Sequence, residues 1–187
     1  MSEDGAPSRQ IPPRPADAGG YPGVVNAPPP TPTRYRPPTV QALGRTWPRA
    51  TRFEQVAWGA HLIAAVAVLV TAWVLDADPS GVGTHQQLGL PECGFIPLFG
   101  GPCPSCGFTT TFALAADGHL ISAFVNQPFG FLMFLAAVSS VPLAAIAVSK
   151  RVSWLEATDR WHWGKIVAAT IALWLLCWGY KWAIFSG

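Results

Sequence analysis

The chain has 187 residues, of which half are hydrophobic and 12% are charged, and its formal net charge is +2. An average soluble domain carries about 25% charged residues, so this chain is short of the polar surface that a soluble protein needs. The small net charge also argues against a nucleic-acid-binding protein, which usually has a strongly basic face. Composition therefore predicts a protein in contact with the lipid bilayer, with room for one domain and a tail.

Proline is concentrated at the beginning of the chain, where residues 1–50 contain few large apolar side chains. Proline lacks an N–H donor and fixes φ, and little apolar surface is present to offset the entropy of ordering. Residues 1–50 are therefore predicted to be a disordered, proline-rich tail. Proline clusters at 11–15 and 27–32 could bind a protein partner as polyproline II helices, but an unstructured extension is the preferred interpretation.

Three apolar segments are long enough to cross a bilayer as helices, because twenty residues at 1.5 Å each cover the roughly 30 Å of the hydrocarbon layer. The segments are 56–75, 129–148 and 166–185. Together with their connections they form a predicted helical membrane domain over 53–187.

Basic residues flank these segments unevenly. Arginines precede the first segment, and residues 150–165 between the second and third segments are basic, whereas residues 76–127 contain neither Lys nor Arg. Loops rich in Lys and Arg stay in the cytoplasm. The charge pattern therefore predicts a cytoplasmic amino terminus, a long first loop outside, and a carboxyl terminus outside.

The first loop contains the motif Gly101-Pro-Cys-Pro-Ser-Cys-Gly-Phe-Thr-Thr-Thr111, within a motif loop over 91–127. A short helix is predicted over 104–117, ended by Gly118, and a second over 119–126. Both are too short to span the bilayer and are expected at its outer interface or dipping into it. The predicted fold class is an all-α membrane protein with three transmembrane helices, one or two short interfacial helices in the first outer loop, and a disordered tail.

The cysteines of this loop carry the candidate chemistry. Cys93, Cys103 and Cys106 are predicted to lie on the non-cytoplasmic side, which in bacteria is oxidising. If Cys103 caps the helix, Pro104 and Cys106 occupy its first turn, and the positive helix end favours a thiolate at Cys103. This arrangement suits a redox pair, with Cys103 as the nucleophile and Cys106 as the resolving thiol.

Two other interpretations of the cysteines stay open. A zinc ion could be bound by His85, Cys93, Cys103 and Cys106, a Cys₃His set with a C-x₂-C pair; no other cofactor is indicated. Alternatively, Cys93 forms a structural disulfide with Cys103 or Cys106, and the sequence does not choose among the pairings. The structural interpretation is preferred, followed by redox chemistry and then metal binding.

One face of the third apolar segment is rich in tryptophan. At helical spacing this face contains Trp174, Cys177, Trp178, Lys181 and Trp182. Lys181 is expected to extend its ammonium group to the outer lipid headgroups. The alternative is that this face packs against residues 103–111 and brings a cation near the thiols.

The motif, followed by Gly118 and by Gln127-Pro128 at the start of an apolar segment, resembles a bacterial membrane domain of unknown function. That family is marked by a Cys-Pro-x-Cys-Gly-x-Thr-Arg motif, and Thr110 stands here where the family often has Arg. The resemblance covers roughly residues 91–148 and implies a multi-pass protein of the bacterial cytoplasmic membrane, without an established activity. The preferred function is a structural or interaction role with a cysteine-stapled outer loop; membrane thiol–disulfide exchange and metal binding are the alternatives.

Overall fold

The computed structural model describes residues 38–159 and 161–185. Within them the chain is mostly helical. The elements in chain order are β1 Thr39–Ala42, β2 Arg45–Pro48, α1 Arg52–Val74, the 3-10 helix Thr84–Leu88, α2 Phe95–Phe99, α3 Phe108–Ala116, α4 Leu120–Asn126, α5 Pro128–Lys150, α6 Trp154–Ala157 and α7 Trp163–Ile184.

Three of these helices, α1, α5 and α7, are long and apolar enough to cross a membrane. This confirms the predicted architecture of three spanning helices, and the chain is a multi-pass membrane protein. α1 begins four residues earlier than predicted because Thr51 and Glu54 cap it reciprocally. The Thr51 hydroxyl accepts from the Glu54 N–H at 3.1 Å, and the Thr51 N–H donates to the Glu54 carboxylate at 2.8 Å.

Basic residues mark one end of the bundle, where α1 begins, α5 ends and α7 begins; we call this the basic end. The opposite end, at which α1 ends and α5 begins, carries the cysteines and is called the cysteine end. α1 packs against α5 and α3, and α3 also packs against α4 and α5.

Part of the predicted tail is structured. The residues before 38 lie outside the described part of the chain, but 39–48 form an antiparallel hairpin, which corrects the prediction of disorder up to residue 50. The Trp47 ring packs on Trp154 at a centroid distance of 5.2 Å, and its Nε1–H donates to Ala42 O. Contacts with a segment about a hundred residues away stabilise the hairpin, and the local proline content gives no sign of them.

The helices α3 and α4 form a hairpin that enters the bundle at its cysteine end. The ring pairs Phe108–Phe129 and Phe112–Phe134 show that α3 runs alongside α5 in the same direction. The hairpin packs in a core with Phe134 and Leu69. Phe134 is six residues into α5, or about 9 Å along its axis. The short helices predicted from the sequence are therefore present, and α3 packs against the spanning helices α1 and α5, whereas the sequence predicts a position at the outer interface or dipping into it.

The turn between α3 and α4 also forms as predicted. Gly118 adopts a φ of +83°, and the N–H of His119 donates to Leu114 O at 2.9 Å. This is the usual hydrogen-bonding pattern of a helix that ends at a left-handed glycine.

A candidate functional site with three cysteines

Three thiols converge at the cysteine end of the bundle. The sulfur of Cys106 lies 3.1 Å from that of Cys103 and 3.2 Å from that of Cys93. All three sulfurs lie within 4.8 Å of one another, and each cysteine is free in this structure. The sequence predicts that these residues act together, and the structure brings them together; we call them the thiol cluster.

The pair Cys103 and Cys106 lies in a turn of its own, ahead of α3. The N–H of Cys106 donates to Cys103 O at 3.0 Å, and Gly107 then caps α3 with a φ of +86°. The prediction that Cys103 caps the helix is therefore wrong, because the left-handed Gly107 separates the turn from the helix. The positive end of α3 lies four residues beyond Cys103 and is not the cause of any thiolate there.

The thiol environments differ within the cluster. Burial opposes ionisation of Cys103, but hydrogen bonds with Ser105 and Cys106 outweigh it and lower the Cys103 pKa. Burial, with hydrogen bonds to Cys103 and Cys93, raises the pKa of Cys106 well above its ordinary value. Cys106 is buried, whereas Cys93 and Cys103 are half-buried. The cluster thus contains one half-buried thiol with a lowered pKa, Cys103, and one buried thiol with a raised pKa, Cys106.

A cavity of about 690 Å³ opens beside the cluster and is lined by all three cysteines. Apolar side chains such as Leu90 and Phe108 form part of its wall, and Asp78, Glu92 and His85 form another part. A small molecule or an ion that enters this cavity would therefore meet the thiols directly.

His85 does not join the thiol cluster. It lines the same cavity, but its Nε2 lies 3.1 Å from Pro91 O and is outside the group of converging ligand atoms. The structure thus assembles three of the four proposed metal ligands. Cys177, buried within α7, is also outside the group.

The tryptophan face of α7 holds the cysteine turn in place. The indole N–H of Trp174 donates to Pro104 O at 3.2 Å, and that of Trp178 donates to Pro102 O at 2.9 Å. Gly101 lies so close to the Trp182 ring that a side chain there would overlap it. These contacts orient the cysteine turn without any disulfide bond.

Lys181 belongs to the same face and is 4% exposed. Its ammonium group donates to Asn126 Oδ1 at 2.8 Å and to Gly81 O at 3.4 Å. The preferred prediction, that Lys181 extends to the headgroups, is wrong, because its helix face is covered by residues 101–107. The alternative prediction, that this face packs against the motif, is correct.

Several polar residues that support the site were missed by the sequence analysis. The Asn126 amide donates to Gly107 O at 3.2 Å and to Thr111 Oγ1 at 2.9 Å, which ties α4 to the start of α3. Thr84 and Thr110 are fully buried, with their hydroxyl oxygens 2.8 Å apart. Because these partners lie 15 to 26 residues apart, no local pattern indicates the contacts.

Comparison with known proteins gives one finding. A family profile described as "Protein of unknown function (DUF2752)" matches residues 93–141, about a quarter of the chain. The chain is similar to that family over the thiol cluster, the hairpin of α3 and α4, and the first part of α5. No curated protein and no solved structure matches the chain.

Proposed function

We propose that this multi-pass membrane protein binds a thiophilic metal ion, with zinc as the first candidate, through Cys93, Cys103 and Cys106. The observation that carries the proposal is the convergence of three sulfurs within 4.8 Å of one another. In a tetrahedral zinc site with Zn–S bonds of about 2.3 Å, the sulfurs are about 3.8 Å apart. The observed separations of 3.1 and 3.2 Å therefore need only a small expansion.

The contacts of α7 favour a metal ion over a structural disulfide. A disulfide would use two of the thiols and leave the third within contact distance of the bond. The turn that contains Cys103 is already anchored by the indoles of Trp174 and Trp178, so it does not depend on a staple. Three thiolates would leave one position of a tetrahedral ion for water or a ligand, and the three cysteines line a cavity through which either could enter.

We also propose that the cysteine end lies outside the cytoplasm of a bacterium. Arg52, Lys150 and Lys165 lie at the basic end, at the start of α1, the end of α5 and the start of α7. Segments rich in Lys and Arg stay cytoplasmic, and this supports an orientation in which the thiol cluster and its cavity open to the outside.

The proposal is tested by metal content and binding. The full-length protein, purified with reductant, should carry or take up one zinc ion per chain, measured by elemental analysis and chelator competition. Substitution of Cys93, Cys103 or Cys106 by Ser should abolish binding, whereas Cys177→Ser should leave it intact. A reduced wild-type protein that takes up no thiophilic metal would refute the proposal.

Thiol–disulfide exchange is the second candidate, favoured by the unequal accessibility of Cys103 and Cys106 at a sulfur separation of 3.1 Å. The Cys103 thiolate would attack a substrate disulfide and release one substrate thiol. Cys106 would then lose its proton and attack the mixed disulfide, so that the substrate leaves as a dithiol and the pair is oxidised.

Alkylation of Cys103 and Cys106 over a range of pH tests the proposal of thiol–disulfide exchange. Cys103 in metal-free protein should react at lower pH than an ordinary cysteine, since its pKa is lowered, and Cys106 should react slowly. Slow alkylation of both thiols, with no reduction of a model disulfide, would remove thiol exchange from consideration.

A further inference from the structure

We infer that Lys181 is the counter-charge of the metal centre and a positioning residue for it, an inference that rests on the proposed metal-binding function. Lys181 lies near the carboxyl end of the mostly apolar helix α7 and is 4% exposed. A buried lysine ammonium requires a compensating negative charge, because burial of a cation without an anionic partner is strongly unfavourable.

The direct contacts of Lys181 do not supply that anion. Its hydrogen-bond acceptors are the side-chain amide oxygen of Asn126 and the carbonyl oxygen of Gly81, and both groups are neutral. In the described part of the chain, these are the hydrogen bonds that its Nζ makes. Asn126 and Gly81 satisfy the donors of Lys181 but leave its charge uncompensated.

The thiol cluster supplies the missing negative charge. A Cβ placed on Gly107 would lie 3.4 Å from Lys181 Cε, so the lysine side chain runs directly beside the residue that follows Cys106. Asn126, which bonds both Lys181 and Gly107 O, holds the ammonium in this position.

The change in charge when the thiol cluster binds a metal ion shows how Lys181 affects the site. When three neutral thiols bind a divalent ion, three S–H bonds break, three protons leave for solvent and three metal–sulfur bonds form. The charge of the cluster then changes from 0 to −1. A fixed ammonium nearby favours that change and gives a neutral site, whereas a disulfide is uncharged and would leave Lys181 uncompensated. Lys181 therefore raises the affinity of the cluster for divalent ions.

The test compares two probes that bind the same thiols with different charge. Zinc binding makes the cluster more negative, as described above. Arsenous acid is neutral, exchanges its three hydroxyls for three thiolate sulfurs with release of three waters, and leaves the cluster neutral. Both affinities are measured on reduced, full-length protein for the wild type, Lys181→Met and Lys181→Gln. Lys165→Met, at the other end of α7, is the matched control.

Both Lys181 variants should bind zinc about tenfold or more weakly, because one unit charge is lost in a partly buried site, while arsenite affinity and the Lys165→Met protein stay within about threefold of wild type. Unchanged zinc affinity in either Lys181 variant, or an equal loss of arsenite affinity, overturns the inference. The arsenite measurement also establishes that the variants fold. A wild-type protein that binds arsenite but not zinc refutes the proposed function instead.

Discussion

At Gly107 the backbone passes from the cysteine turn into α3 with a φ of +86°. A Cβ added there would lie 2.7 Å from the backbone oxygen of Gly81. The backbone would have to move to accommodate it. The residue thus has two separate requirements, a left-handed conformation and close contact with another loop. The first follows from its position at the start of α3, and the second from its position beside the loop that contains Gly81.

Gly107→Ala is therefore expected to destabilise the protein more than an ordinary substitution at a left-handed position. The left-handed conformation alone costs about 1–2 kcal/mol for a residue with a Cβ, and the overlap with Gly81 O adds to it. Gly118→Ala is the control, since Gly118 has a similar φ of +83° and nothing within 4 Å of an added Cβ.

The comparison is made by thermal unfolding in detergent and by zinc binding. Gly107→Ala should lower the melting temperature more than Gly118→Ala and should weaken zinc binding, while Gly118→Ala should leave zinc binding unchanged. Equal effects of the two substitutions on both measurements would contradict the role assigned to Gly107.

At the scale of elements, the hairpin of α3 and α4 lies within the depth of the spanning helices. The hairpin packs against Leu69, five residues before the end of α1, and against Phe134, six residues into α5. Both contacts indicate a similar depth along the spanning helices. The exposed side of α4 is apolar, and Ile121 is 83% exposed. In a bilayer, this side faces lipid.

A label on α4 should therefore report the depth of a lipid-buried site. A nitroxide on Ile121→Cys, in a background with the native cysteines replaced by Ser, should be more accessible to oxygen than to a polar nickel reagent. The same label on Leu43→Cys, in the β-hairpin, should show the reverse preference. A water-exposed Ile121 label would mean that α3 and α4 lie on the membrane surface.

The β-hairpin is the second element whose role can be tested. Backbone hydrogen bonds join it to the segment after α5, from the Ala50 N–H to Arg151 O at 2.7 Å and from the Ser153 N–H to Pro48 O at 2.9 Å. Glu54 in α1 accepts from the Ser153 hydroxyl at 2.6 Å. These bonds connect the start of α1 with the end of α5.

Removal of residues 1–37 should leave the melting temperature of the membrane domain unchanged, because that segment has little apolar surface to bury. Removal of residues 1–50 should lower it by several degrees, since the bonds to residues 151–153 and the packing of Trp47 on Trp154 are lost. Equal stability of the two truncated proteins would show that the hairpin contributes nothing.

For the whole molecule, the basic end and the cysteine end predict the orientation in the membrane. Alkaline phosphatase fused after residue 90 should be active, because residues 76–127 contain no Lys or Arg and are expected to be outside. A fluorescent protein fused after residue 158 should be bright, because the basic connection between α5 and α7 is expected inside. The opposite pair of results would reverse the orientation and move the thiol cluster to the cytoplasm.

Several elements of the fold can be predicted from local composition alone. Apolar length predicts α1, α5 and α7, and Gly118 predicts the end of α3. Both signals are local, since a spanning helix satisfies its own backbone groups and glycine commonly ends a helix because it adopts the left-handed conformation without strain. The three cysteines of the site could also be identified from the sequence, because clustered thiols suggest a disulfide, redox chemistry or metal binding.

The contacts between distant residues, in contrast, become visible only in the folded chain. Trp47 packs on Trp154 and thereby orders a hairpin in a segment whose composition predicts disorder. Lys181 is buried because Pro102 and Pro104 offer their carbonyl oxygens to Trp178 and Trp174 on its own helix face. Such contacts join residues 70 to more than 100 positions apart, so no local pattern predicts them. The energy of the Lys181 charge likewise depends on its burial in the fold and not on its neighbours in the sequence. The convergence of three thiols beside a buried ammonium is therefore a property of the folded chain.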